Sequence, residues 1–249
     1  MKCKLCTENK KLIKRSHIIP DFMYKGLFDK KHFIAPVDIV ELKVKKNIPT
    51  GFYDSNILCK KCDNQIIGNL ESYSSIVLWG GQGKAESYPI IKRKINQLNQ
   101  KYLHIINIDY TKFKLFLLSI IWRASISKQK FFESVNLGEQ EKKIGKMIYD
   151  KNPGKSSDYP VGLFVLNENI NSPTKMIANP IKIQTGENLS YLFLINRFVI
   201  NYKIEGSGDI DFYERIKIKE DNTMNVNIFD EKSSQEFIDT YLKQKLRYK

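Results

Sequence analysis

The chain has 249 residues, 42% of them hydrophobic and 12% aromatic, enough to bury the core of one large domain or of a small domain joined to a medium one. Its 41 Lys and Arg against 27 Asp and Glu give a formal charge of +14 at pH 7, so polyanions, nucleic acid first among them, are the default partners; a lysine-rich proteome is the alternative origin of the charge. The apolar stretches at 113–126 and 191–200 are broken by Ser119 and Arg123 and by Asn196 and Arg197, and the N-terminus has no apolar run of signal-peptide length, so a cytoplasmic protein without a membrane span is expected.

The cysteines come first along the chain. All four fall in two pairs of equal spacing, Cys3-x-x-Cys6 and Cys59-x-x-Cys62. In a cytosolic chain this favours four thiolates around a tetrahedral Zn²⁺ over disulfides, and a redox pair would account for only one of the two. The zinc would staple residues 1 to 71, where 14 Lys and Arg stand against 8 Asp and Glu. After Cys62, Ile66, Ile67, Leu70, Tyr73 and Val77 recur at spacings of three and four, which predicts a helix with Cys62 in its first turn. Gly80, Gly81 and Gly83 end that helix, so 1–78 reads as one module, 79–100 as a linker and 101–249 as a second domain. The glycine run is not a phosphate-binding P-loop, because Leu78 stands where that motif needs glycine and Ala85 where it needs Ser or Thr.

Beyond the link the pattern predicts a strand at 102–108, a buried helix at 113–126 and an amphipathic helix at 139–149. Strands are expected at 161–166, 191–204, 210–219 and 224–229, with Ile210, Phe212, Ile216 and Ile218 alternating as on a half-wet strand. A last helix is expected from Ser233, with Glu236 completing a capping box. Trp122 and Arg123 sit in an almost wholly apolar helix, where the tryptophan reads as core and the arginine as an internal cap or pair.

Inside the zinc module, Ser16-His17-Ile18-Ile19-Pro20, Asp54-Ser55-Asn56-Ile57-Leu58 and Asp63-Asn64 lie between or beside the cysteine pairs. Closing the cluster makes these segments neighbours, and metal binding becomes folding energy. A histidine on a strand opposite a helix that offers carboxylate and amide oxygens suits phosphodiester hydrolysis: the imidazole takes a proton from water, and a divalent cation stabilises charge growing on the leaving oxygen. A lone histidine is more often a core or capping residue, but His17 lies between the zinc pairs and precedes Ile-Ile-Pro, a setting that His32 and His104 lack. Lys14, Arg15, Lys60 and Lys61 are candidate phosphate contacts, with a solvated basic face as the alternative.

These segments resemble the HNH endonuclease family in its zinc-bound form, over roughly residues 1 to 71. The resemblance implies an N-terminal zinc-stapled ββα, treble-clef-like module; with the helices and strands read beyond the link, which make a mixed α+β domain, the expected fold class is α+β. The resemblance also implies His17 as general base, Asn56 as brace of the loop that orients it, and Cys3, Cys6, Cys59 and Cys62 as ligands of structural zinc. The family's last histidine falls on Asp63, which with Asn64 and Asp54 would hold a catalytic Mg²⁺ or Mn²⁺, while Ser16 stands where the family often has an Asp ligand. Glu71 lies about 12 Å along the helix from Asp63 and cannot share that cation. The 52 residues between Cys6 and Cys59 exceed the family's usual gap and suggest an insertion at 30–50. The function implied is metal-dependent cleavage of DNA, in bacterial restriction, mobile elements or phage defence. Residues 101–249 would then supply recognition, a partner surface or a homodimer contact. A zinc-dependent nucleic-acid-binding or scaffold protein without cleavage, and a nuclease of RNA, are the alternatives.

Overall fold

The computed structural model describes residues 1–28, 51–80, 88–167 and 176–243, together with the backbone of four two-residue strands between 33 and 49. Regular structure is short in the first part of the chain. β1 (Ser16–His17) pairs antiparallel with β6 (Tyr53–Asp54); between them β2 (Phe33–Ile34) pairs with β5 (Ile48–Pro49) and β3 (Val37–Asp38) with β4 (Lys43–Val44). Strands of two residues carry too few ladder bonds to stand alone, so other forces must hold this region. After β6 a π-helical stretch, Lys61–Ile67, runs into α1 (Gly68–Trp79), which stops at Gly80 with φ 74°.

The rest of the chain is built on one sheet. Its strands are β7 (Ile90–Ile95), β8 (Lys101–Ile106), β9 (Val161–Val165), β10 (Met176–Ile177), β11 (Ile181–Thr185), β12 (Asn188–Asn196), β13 (Phe198–Glu205) and β14 (Met224–Ile228). They lie in the order β10-β12-β13-β9-β14-β8-β7, with β11 paired to β12, and all pairs are antiparallel except β14 with β9.

Alternation along the strands sorts the two faces. Tyr191, Phe193, Leu163, Ile200 and Val226 enter the larger core, where α2 (Tyr110–Ile126) covers the sheet and α3 (Gln140–Asp150) packs on α2. Leu194, Val199 and Phe164 enter a second core, under α4 (Ile210–Ile216) and α5 (Glu231–Lys243). The chain is thus mixed α+β, with five α-helices among the described residues. α2 has no wet face: every residue from Phe113 to Ala124 is buried, Lys114 and Arg123 included. Lys114 donates to Tyr110 Oη at 3.1 Å and to the Lys155 carbonyl at 2.5 Å, and burial pushes its pKa down to about 8.

Several sequence expectations need correction. Residues 210–219 hold a helix and not a strand: Tyr213 and Ile216, three apart, bury one face of α4 while Ile210 is 52% exposed. Residues 191–204 form a hairpin and not one strand, because Asn196 turns the chain at φ 60° while its buried amide donates to the Met23 and Lys25 carbonyls at 3.1 and 2.9 Å. The expected linker contains β7. The last helix begins at Glu231, and Asp230 accepts the Ser233 N–H at 2.6 Å, so Ser233 lies within the helix and is not its cap. The side chains of 29–50, with the expected insertion and the lysines there, and the glycine link at 81–84 lie outside the described residues.

Residues on both sides of the glycine link share the larger core: Phe22 stacks on Phe116 at 5.6 Å and Phe52 on Phe131 at 4.1 Å between ring centroids. Arg123 makes a polar tie across the same boundary. Its Nη1 donates to the His17 carbonyl and to Glu71 Oε1, both at 2.7 Å, while Nε and Nη2 reach the Ser119 carbonyl at 3.1 Å and Ser119 Oγ at 3.3 Å. The arginine side chain is 1% exposed and that of Glu71 25%. Removing one member of a buried pair strands the other, so we predict that Arg123→Met destabilises the chain by about 2–3 kcal/mol, below the fully buried range because Glu71 is partly solvated. The same change in a Glu71→Gln background should be milder. Urea unfolding of the four proteins checks this, and an Arg123→Met protein as stable as its parent would refute the tie.

Candidate metal centre

The first cysteine pair sits on a tight hairpin. Lys2 bridges Asn9, the Cys3 N–H donates to the Glu8 carbonyl at 2.9 Å, and the Thr7 N–H returns to the Cys3 carbonyl at 3.0 Å with Thr7 at φ 59°. The second pair joins a strand end to a helix start: Leu12 bridges Cys59, and Cys62 follows in the first turn. Hairpin and helix meet through their cysteines, with all four thiols buried and their Sγ atoms within 4.8 Å of one another. Cys6 Sγ and Cys59 Sγ are 4.0 Å apart, about twice a disulfide bond length of roughly 2.05 Å. A tetrahedral zinc with Zn–S near 2.3 Å has S···S edges of about 3.8 Å, so the cluster closes on such an ion with shifts of about 1 Å or less. The four cysteines therefore lie at metal-binding distance in a set compatible with structural zinc.

The electrostatics of the cluster call for a cation. Burial pushes the Cys6 and Cys62 thiols above the ordinary thiol range. At Cys59 burial acts the same way but is outweighed by hydrogen bonds from the Cys62 backbone and from neighbouring thiols, and its pKa falls. Sulfurs this close cannot all ionise without positive charge among them, and a divalent ion reverses that balance. The Cys59 N–H already donates to Cys3 Sγ at 3.3 Å, a bond that a thiolate accepts.

Beside the cluster, two segments 47 residues apart in sequence touch. Ser16, fully buried on β1, donates from Oγ to Asp63 Oδ1 at 2.5 Å, and Asp63 lies in the π-helical stretch directly after Cys62. The neighbouring residue on β1, His17, is half-buried; its ring meets Tyr53 edge-on at 6.5 Å, and the Arg15 guanidinium lies over the ring of the same tyrosine at 5.1 Å. The His17 backbone is held twice over: its carbonyl accepts from Arg123, and the next amide, Ile18 N–H, donates to the Phe52 carbonyl at 2.9 Å.

The other expected site residues divide into those that join this group and those that do not. Asn56 is exposed with φ 61°, and its backbone N–H donates to the Ile13 carbonyl at 3.0 Å, tying its loop to the strand that leads to His17. Asn64 follows Asp63 and is exposed, as are Lys14, Lys60 and Lys61. Asp54, the cross-strand partner of Ser16, directs its carboxylate to the segment after α2. Its Oδ2 accepts from Ser127 Oγ at 2.7 Å and the Lys128 N–H at 2.9 Å, and its Oδ1 from the Gln129 amide at 3.3 Å. Arg123, Glu71 and Tyr53 are the residues that sequence reasoning did not place beside His17; their proximity depends on strand register and helix packing, which no local spacing encodes. No family model matches the chain, and neither a curated protein nor a solved structure matches it. No described helix is long and apolar enough to cross a membrane.

Metal analysis of the purified protein is expected to find one zinc per chain, and Cys62→Ser to lose it together with much of the thermal stability, since a structural zinc site contributes on the order of 10 kcal/mol in small zinc domains. Well under one zinc per chain, or a Cys62→Ser protein that melts like its parent, would count against the centre.

Proposed function

We propose that the chain is a metal-dependent endonuclease of HNH type, acting on DNA, in which the thiol cluster is a structural staple and His17 is the general base. The observation that carries the reading is the 2.5 Å contact of Ser16 with Asp63, because it sets the helical turn bearing Asp63 against the strand bearing His17. Those are the two positions at which the family's motif needs chemistry, and the thiol cluster beside them supports their meeting.

In this reading His17 accepts a proton from the attacking water. Its backbone is pinned by Arg123 and Phe52, and its ring is flanked by Tyr53, so the imidazole acts from a fixed strand. Arg15 and Lys14 on the same segment, with Lys60 and Lys61 at the helix start, supply positive charge for the phosphate backbone. A bound Mg²⁺ or Mn²⁺ would supply charge stabilisation at the leaving oxygen. The donor set present for it is one carboxylate, Asp63, with the Asn64 amide close by, which suits a cation that keeps several waters and also leans on the substrate phosphate. Asp54 is already occupied by residues 127–129 and contributes less than the sequence suggests.

A second reading has its own observation in favour. Ser16 occupies an Asp63 oxygen, and a site arranged this way also fits a protein that keeps the zinc-stapled scaffold and binds nucleic acid without cutting it.

Plasmid nicking in Mg²⁺ or Mn²⁺ separates the two. The parent is expected to nick, His17→Ala to lose roughly 100-fold or more in rate, as for removal of a general base, and Asp63→Asn to demand more metal. Equal nicking by parent and His17→Ala, or none by either on DNA or RNA, would sink the enzyme reading. Ser16→Asp adds a second carboxylate and is expected to lower the metal concentration needed; a scaffold protein would gain no nicking from it.

A further inference from the structure

The sheet has one stretch that no described element covers. On the side away from the larger core, α4 and α5 pack over β12, β13 and β9, and α4 reaches β14. Past α4 the register puts Lys92, His104 and Asn225 in one row across β7, β8 and β14, and Lys94, Tyr102 and Asn227 in the next. His104 Nδ1 and Asn225 Oδ1 are 2.9 Å apart, which fixes the histidine ring on this face. Leu103, Ile105 and Val226, one residue out of step, point into the larger core.

The segment from Tyr88 to Ile106 contains Lys92, Arg93, Lys94 and Lys101 and no Asp or Glu. None of these four cations forms an ion pair among the described residues. Every residue of β7 is exposed, and large aliphatic side chains are exposed with them: Ile90 by 52%, Ile95 by 60% and Leu98, at the hairpin tip, by 77%. A strand kept wet only to avoid association would not carry these apolar groups. Pairing of β7 with a second copy is opposed by charge, since antiparallel pairing would set Lys-Arg-Lys against itself.

We infer that the open face of β7, β8 and β14 is a docking platform for a single-stranded nucleic acid, its phosphates held by Lys92 and Lys94 and its unpaired bases stacked on Tyr102 and His104. Cations on an edge strand beside aromatic rings on its neighbour match what such a strand offers, a regular anionic backbone and flat apolar bases. The inference does not depend on cleavage, because it uses no residue of the His17 site.

Fluorescence anisotropy tests it on the full-length His17→Ala protein, which leaves the probe intact. The probes are a labelled 20-nucleotide DNA strand, the same strand as duplex, and the RNA of the same sequence, each titrated from low to moderate salt. Lys92→Gln/Lys94→Gln, two exposed positions that cannot unfold the chain, is expected to weaken single-strand binding about 10-fold or more and to reduce the salt slope by about 1.4, the value for two lost phosphate contacts on a single strand. Tyr102→Ala is expected to cost roughly 10-fold on single strands and little on duplex, with Tyr102→Phe near the parent. Unchanged affinity in the lysine pair overturns the platform. So does a loss confined to duplex, or sedimentation showing a parent dimer that the lysine changes dissolve. Single-strand binding lost with the lysines in a chain that never nicks DNA would sink the cleavage reading alone. Nicking by the parent, with binding indifferent to the lysines, would sink the platform alone.

Discussion

Four buried sulfurs within 4.8 Å of one another are the constraint on which the first part of the molecule rests. They join residues separated by 52 positions, and the backbone pairing near them, two residues each in β1 and β6, is too slight to hold that loop closed. Desolvation raises the Cys6 and Cys62 thiols, a cost that a divalent ion among the four sulfurs would offset while tying the two cysteine pairs together. The contact of Ser16 with Asp63 follows from this closure. Asp63 is the residue next to Cys62, and Ser16 lies four residues beyond Leu12, which bridges Cys59.

The cysteine module is held from behind as well as from within. Arg123, in a helix with no wet face, satisfies its guanidinium on Ser119, Glu71 and the His17 carbonyl, so α2 bonds both to the strand that carries His17 and to α1. Asp54 does the reverse, reaching from β6 to the three residues that follow α2. Together with the Phe22–Phe116 and Phe52–Phe131 stacks, these ties make His17 part of a surface built by both halves of the chain. A strand of two residues gains from them the rigidity that its own ladder cannot provide.

What could be read from the sequence follows from the range of the interactions that decide each feature. The cysteine pairs are legible because ligand spacing is local, and α2 because a run over 113–124 that is apolar apart from Lys114, Ser119 and Arg123 fits a buried element. Residues 210–219 mislead because a seven-residue helix supplies too few apolar positions to separate a period of 3.6 from one of 2. β7 is hidden because it has no buried face, so Ile90, Ile91 and Ile95 show no alternation of period two. Asn196 looks like a polar interruption within a strand, and only the carbonyls of Met23 and Lys25, more than 170 residues away, show why an amide is needed at that turn. The partners of Arg123 and Ser16 lie 47 to 106 residues off, and no periodicity reports such pairs; the family resemblance alone pointed to Asp63.

The hydrogen bond between Ser16 and Asp63 also sets terms for any chemistry there. A hydroxyl donating to a carboxylate in a half-buried setting contributes about 1.5–3 kcal/mol. Under the endonuclease reading, Asp63 must give up or share that bond when it takes a cation, which weakens its affinity by roughly 10- to 100-fold relative to a free carboxylate. With one carboxylate in place of two, and Asp54 held elsewhere, the protein offers little to a cation by itself. The missing ligand is one that a phosphodiester brings with it, so a site of this composition would fill when substrate is present and stand nearly idle when it is not.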